Sequence, residues 1–114
     1  MNTNYTIEWA PFELTENAKQ TEFLAASEIL QSEFLDKQEG FIRRELLHLE
    51  GRKWVDLVYW KNQELAHKAM ENSMNHPVCQ NYFHFMVPFD PESSAGVLHL
   101  TQKEIYKGKG VSND

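Results

Sequence analysis

The seven residues Trp54-Val55-Asp56-Leu57-Val58-Tyr59-Trp60 decide the architecture. β-Branched and aromatic residues dominate the run, as they do in strands. Side chains alternate between the two faces of a strand, so Val55, Leu57 and Tyr59 point one way. Trp54, Val58 and Trp60 point the other, with Asp56 among them. Both faces are therefore apolar. Just upstream, Glu50-Gly51-Arg52 makes a tight turn back to a second β-prone run, Phe41 to about Glu50, and the two read as a hairpin. The second run is doubled as well, with Phe41, Leu47 and Leu49 on one face and Ile42 and Leu46 on the other.

Downstream of the hairpin, Gln63 to Ser73 predicts a helix with Leu65, Ala66, Ala69 and Met70 inward. It breaks before Pro77 and resumes through about Met86; proline suits the first helical position and biases His76 toward an extended backbone. Val87 to Gly96 is a loop by composition, and Val97 to about Tyr106 a last strand. Upstream, Tyr5, Ile7 and Trp9 alternate with Thr6 and Glu8, the period of a strand with one buried face. Pro11 places that strand at an edge or a bulge. Thr15 is the expected N-cap of a helix of about five turns whose Phe23, Ser27, Leu30 and Phe34 share a face, with Gly40 ending it. The order is strand–helix–strand–strand–helix–strand, an α+β unit over residues 1–106, with a polar, frayed tail at 107–114.

Two helices cover only one face of such a sheet. The other face needs a partner, and a second copy of the sheet is the simplest one. At ~25 cal/mol per Å2, leaving that face wet would forfeit several kcal/mol of a total stability of only ~5–15 kcal/mol. A homodimer is expected.

At 114 residues the chain holds one domain. Its net charge of −6, with no basic run, argues against nucleic acid and against an anionic membrane surface. Cys79 is the single cysteine, so no internal disulfide forms and a reducing compartment is expected. Met1 to Thr6 lacks the charge and hydropathy pattern of a signal peptide, and no apolar stretch is long enough for a membrane span. The expectation is a cytoplasmic protein.

The Trp54–Trp60 run leads into the Ala66/Ala69 helix, then His76-Pro77-Val78-Cys79 and Tyr82-Phe83. Gln38-Glu39-Gly40-Phe41-Ile42-Arg43-Arg44-Glu45-Leu46 precedes it. Together these resemble the dimeric α/β-barrel superfamily, and within it the antibiotic-biosynthesis-monooxygenase-like domains, over about residues 5–106. The resemblance implies a ferredoxin-like βαββαβ unit with an antiparallel sheet, paired into a barrel, with cavities between each sheet and its helices. Some members are cofactor-independent monooxygenases acting on polycyclic phenols or small quinols; others degrade haem. The haem-degrading branch pairs an Asn on the first strand with a Trp and a His in the second helical region. Here that strand offers Glu8 and Trp9, and the other two positions fall near Ala69 and Cys79, with His76 three residues early. The resemblance thus implies no cofactor and a small aromatic ligand.

Oxygenation without a cofactor asks the protein to bind an electron-rich aromatic, help remove a proton and exclude water. Trp54, Tyr59, Trp60, Cys79, Tyr82 and Phe83 are the candidate substrate-binding walls. Asp56 and His76 are the candidate catalytic groups, with Glu45, His48 and Arg44 as further polar neighbours. Each has a plainer reading. Asp56 is costly mid-strand unless paired, and Arg43 or Arg44 on the neighbouring strand would pair it; His76 would cap the helix begun by Pro77. Cys79 is either a reactive thiol at a helix start or, with Phe83 and Met86 at helical spacing, a packed apolar group. His76 and Cys79 have metal-like spacing, but His48, His67, His84 and His99 are scattered, so no metal site is expected. The sequence leaves three functions open: a monooxygenase-like enzyme, a ligand-binding domain without turnover, and a structural dimer with a filled interior.

Overall fold

The computed structural model describes residues 4–88 and 96–110. The hairpin forms as its sequence dictates: β2 (Phe41–Glu50) and β3 (Lys53–Trp60) pair antiparallel. The remaining elements are β1 (Thr6–Glu13), α1 (Gln20–Glu33), a 3-10 turn at Leu35–Lys37, α2 (Gln63–Ser73), α3 (Pro77–Phe83) and β4 (Leu98–Thr101). The sheet order is β2-β3-β1-β4 and every pairing is antiparallel. The architecture is the α+β, ferredoxin-like arrangement, with the second helix divided at Pro77. No helix among the described residues is long and apolar enough to cross a membrane.

One face of the sheet packs on the helices. Trp54, Val58 and Trp60 of β3 are buried there with Phe23, Ala26 and Leu30 of α1, Ala66 and Ala69 of α2, and Cys79 and Tyr82 of α3. Asn62 caps α2 by accepting from the Leu65 backbone N–H at 2.9 Å. Gly40 turns the chain into β2 at φ 85°, and a Cβ there would lie 2.6 Å from Leu65 Cδ1, so α2 rests on bare backbone. The end of α3 is tied to β1 by Thr15 N–H donating to Phe85 O and Val87 N–H donating to Glu13 O.

Several expectations are corrected. The first helix begins at Gln20 rather than after Thr15, whose carbonyl instead accepts from Ala18 in a turn, and Lys19 at the N-cap gives no side-chain cap. Strand one is inverted: Thr6 and Glu8 face the helices, while Ile7 and Trp9 face away, opposite Tyr59 and Leu57. The expectation for Pro11 holds: β1 is an edge where that residue lies, and is flanked by both β3 and β4 only over Thr6–Trp9. In β2 an irregularity between Phe41 and Arg43 resets the alternation, so Phe41 and Leu46 both pack against the helix-side core instead of facing opposite ways. The last strand ends at Thr101, not Tyr106, because its partner β1 starts at Thr6; Gln102 N–H to Tyr5 O is the last ladder-like bond. Of the expected loop, residues 89–95 lie outside the described residues, as do 111–114 of the expected tail.

Candidate functional site

The alternation of β3 sends the Asp56 carboxylate into the layer between sheet and helices, where it is 8% exposed. Its neighbour on β2, Arg44, enters the same layer. Arg44 Nε donates to Asp56 Oδ1 at 2.8 Å, and Tyr82 Oη of α3 donates to Asp56 Oδ2 at 2.6 Å. Arg44 Nη2 donates to Tyr82 Oη at 2.9 Å and to Ser27 Oγ of α1 at 2.7 Å, and Nη1 donates to the Ser27 carbonyl at 3.2 Å. Four side chains from four elements thus form one closed network. Burial, reinforced by the Asp56 charge, pushes the Tyr82 hydroxyl far above its ordinary value, so it stays a neutral donor. Both carboxylate oxygens are occupied, and the network holds β2, β3, α1 and α3 together.

A second polar group lies on the same side of the sheet, toward β4. Glu8 and His99 are direct cross-strand neighbours in the β1–β4 register. Trp60 Nε1 donates to Glu8 Oε1 at 3.1 Å, and His99 Nε2 lies 3.6 Å from that same oxygen, too long for a direct hydrogen bond. His99 Nε2 is buried and has no hydrogen-bond partner among the described residues. His67 of α2, which is exposed, sets its ring edge-on to His99 at 5.0 Å between centroids. Burial raises the Glu8 pKa above its ordinary 4.5; the Trp60 hydrogen bond opposes the rise and the Asp56 charge adds to it. Burial, helped by His67, lowers that of His99.

No family model matches the chain, and no curated protein matches it by sequence. Solved structures do. SnoaB, a cofactor-independent oxygenase from Streptomyces nogalater, is similar at a TM-score of 0.63 and 14% identity, over 91% of this chain and 96% of that one. A conserved protein from Methanosarcina mazei Go1 is similar at a TM-score of 0.62 and 17% identity, over 89% of this chain and 95% of that one. A protein from Nitrosomonas europaea assigned as an antibiotic biosynthesis monooxygenase is similar at a TM-score of 0.60 and 12% identity, over 93% of this chain and 95% of that one. The chain has the antibiotic-biosynthesis-monooxygenase-like fold.

Within this monooxygenase-like fold the expected site residues separate into three places. Trp54, Trp60, Cys79 and Tyr82 are buried between sheet and helices with Asp56. Tyr59 is not with them: it lies on the outer face, under the Arg43 guanidinium at 4.7 Å, because it is one residue out of phase with Trp60. Phe83 is 44% exposed, one step round α3 from Tyr82. His76 caps α3, its Nδ1 accepting from Val78 N–H at 3.2 Å, with its ring edge-on to Phe34. The Cys79 thiol is fully buried and its pKa is pushed up to about 11 by that burial, so it is a packed group and not a thiolate. Glu45 pairs with Arg43 on the outer face, and the His48 ring lies tilted against Trp54 at 4.4 Å between centroids.

The aromatic walls contact one another: Phe23 lies 5.3 Å from both Trp54 and Tyr82 and 5.7 Å from Phe12. A shallow groove of about 220 Å3 lies elsewhere, between the 3-10 turn and α2, lined by Lys37, Gln38, Leu65, Lys68 and Asn72. Among the described residues, no group of three His, Cys, Asp or Glu is placed to hold a metal. Sequence reasoning missed Glu8 and His99, since the apolar alternation of strand one gave the wrong inward face. The usable signal was the antiparallel pairing of two strands, each carrying one titratable residue between apolar ones.

Proposed function

We propose that the protein is a cofactor-independent monooxygenase-type enzyme acting on a small aromatic hydroxyl compound or quinol, working in the cytoplasm as a homodimer. The observation that carries this reading is the likeness of fold to a cofactor-independent oxygenase over nine-tenths of both chains, joined to two carboxylates, Asp56 and Glu8, set into a layer of aromatic and aliphatic side chains. Loss of a proton makes such a substrate electron-rich enough to reduce oxygen. The substrate gives up two hydrogens in all: one oxygen atom stays on a ring carbon and the other leaves with those hydrogens as water. The protein's part is to bind the ring, hold the proton acceptor and keep bulk water out.

Asp56 with Arg44 and Tyr82 serves this reading by fixing the layer in which the ring would sit. His76, committed to the α3 cap, sets where that helix starts. The dimer reading is supported by the outer face, where Ile7, Trp9, Val55, Leu57, Leu47, Leu98 and Leu100 lie on neighbouring strands, Trp9 and Leu100 at 38% and 49% exposure. Oxygen consumption with a panel of quinols and polycyclic phenols tests the enzyme reading. Uptake that scales with protein supports it, and none with any compound counts against it.

The tight ring contacts of Phe23 with Trp54 and Tyr82 favour one second reading, a non-catalytic dimeric domain whose interior is filled by its own side chains. In that case no phenol should alter the fluorescence of the buried Trp54 and Trp60.

A further inference from the structure

We propose that Glu8 and His99 form the proton-transfer pair of this interior, with Glu8 Oε2 taking the proton of an aromatic hydroxyl group. This rests on the monooxygenase reading and names the base for it. Three elements bring the parts together: β1 supplies Glu8, β4 supplies His99 and α2 supplies His67. The Glu8 side chain is 19% exposed and that of His99 11%, so the pair lies inside the sheet–helix layer but not sealed from it.

The two carboxylate oxygens differ. Oε1 is anchored by Trp60 Nε1 and faces His99 Nε2, whereas Oε2 accepts no hydrogen bond from any described residue. At Asp56, by contrast, Arg44 and Tyr82 occupy both oxygens. A carboxylate with one oxygen fixed and one free is oriented and still able to accept. His99 Nε2 is a buried polar atom without a hydrogen-bond partner among the described residues, held 3.6 Å from Glu8 Oε1. In the step, the substrate O–H bond breaks and its electron pair stays on the phenolate oxygen. The proton bonds to Glu8, which becomes the neutral acid. Return to the starting state requires the carboxyl group to turn its protonated oxygen toward His99 Nε2, which relays the proton to solvent on the exposed side, where His67 lies against the His99 ring. Among the described residues, the charged and titratable groups facing the pair are Asp56 of β3 toward Glu8 and His67 of α2 toward His99. Burial of Glu8 keeps its proton affinity above that of an ordinary carboxylate, which suits a base for weakly acidic hydroxyls.

The test has two arms. In the first, NMR follows the Glu8 carboxyl carbon and the His99 ring nitrogens across pH in the intact protein, with and without 4-fluorophenol. Coupled titration of the two groups, both displaced by the phenol, is the expected result. Independent titration, or no response of either group to the phenol, overturns the proposal whether or not the protein is an oxygenase. In the second, Glu8→Gln, which keeps an acceptor for Trp60, should lower kcat/KM for oxygen uptake by about 10²–10⁴-fold. His99→Gln should move the rising limb of the pH profile. A Glu8→Gln enzyme within a few-fold of wild type would overturn the assignment and leave the oxygenase reading standing; a wild type with no uptake would count against that reading, with the NMR arm still deciding the pair.

Discussion

Arg44 and Asp56 enter the interior as a pair, and each is tolerable there only because of the other. Asp56→Asn should therefore cost about 3–5 kcal/mol in urea unfolding, since it leaves the guanidinium charge uncompensated. Adding Arg44→Met should recover part of that loss, and a cycle of the single and double variants measures the coupling. Cys79 calls for a simpler test: its thiol, fully buried and raised to about 11, should resist a thiol reagent in the native protein and react at once in denaturant. Glu8 gives a pH signature. Its folded-state pKa is raised above 4.5, so its contribution to stability is complete below that value and is lost as pH rises through the folded-state value. The stability of Glu8→Gln relative to wild type should accordingly grow with pH across that window. At this scale the sequence was readable where a residue broke a pattern. Asp56 announced itself between Val55 and Leu57, and Arg44 was already a named partner; Glu8 did not, because its importance depends on which face of β1 turns inward.

Elements were legible where their ends are written locally. Gly51 closes the β2–β3 turn, Asn62 caps α2 and Pro77 opens α3, and all four of those elements start where the residues indicate. β4 was not, because its length is set by a neighbour: its register with β1 spans only Thr6–Trp9. The face assignment in β2 failed for a similar reason, as alternation cannot register an irregularity that inserts one residue after Phe41. Two substitutions probe these local devices. Gly40→Ala must adopt a positive φ and displace Leu65, and should cost about 1–3 kcal/mol. Asn62→Ala removes the α2 cap and should cost about 1 kcal/mol. Both are read as shifts of the urea midpoint at unchanged slope.

For the whole molecule, the sheet has two unlike faces. One is closed by helices over a polar network; the other carries Trp9, Leu47, Leu98 and Leu100 at 38–53% exposure in the single chain. That the apolar alternation of β1 turns outward, away from its own helices, adds to the case for a partner that the two-faced strands β2 and β3 make. Because Trp9 and Leu100 lie outside the core of the single chain, Trp9→Arg with Leu100→Arg should leave the fold intact by circular dichroism while abolishing self-association. The most direct test of the account is sedimentation velocity of the wild-type protein at micromolar concentration. A single species at twice the chain mass is the expected result, and a stable, well-folded monomer would contradict the reading of this sheet as half of a closed pair.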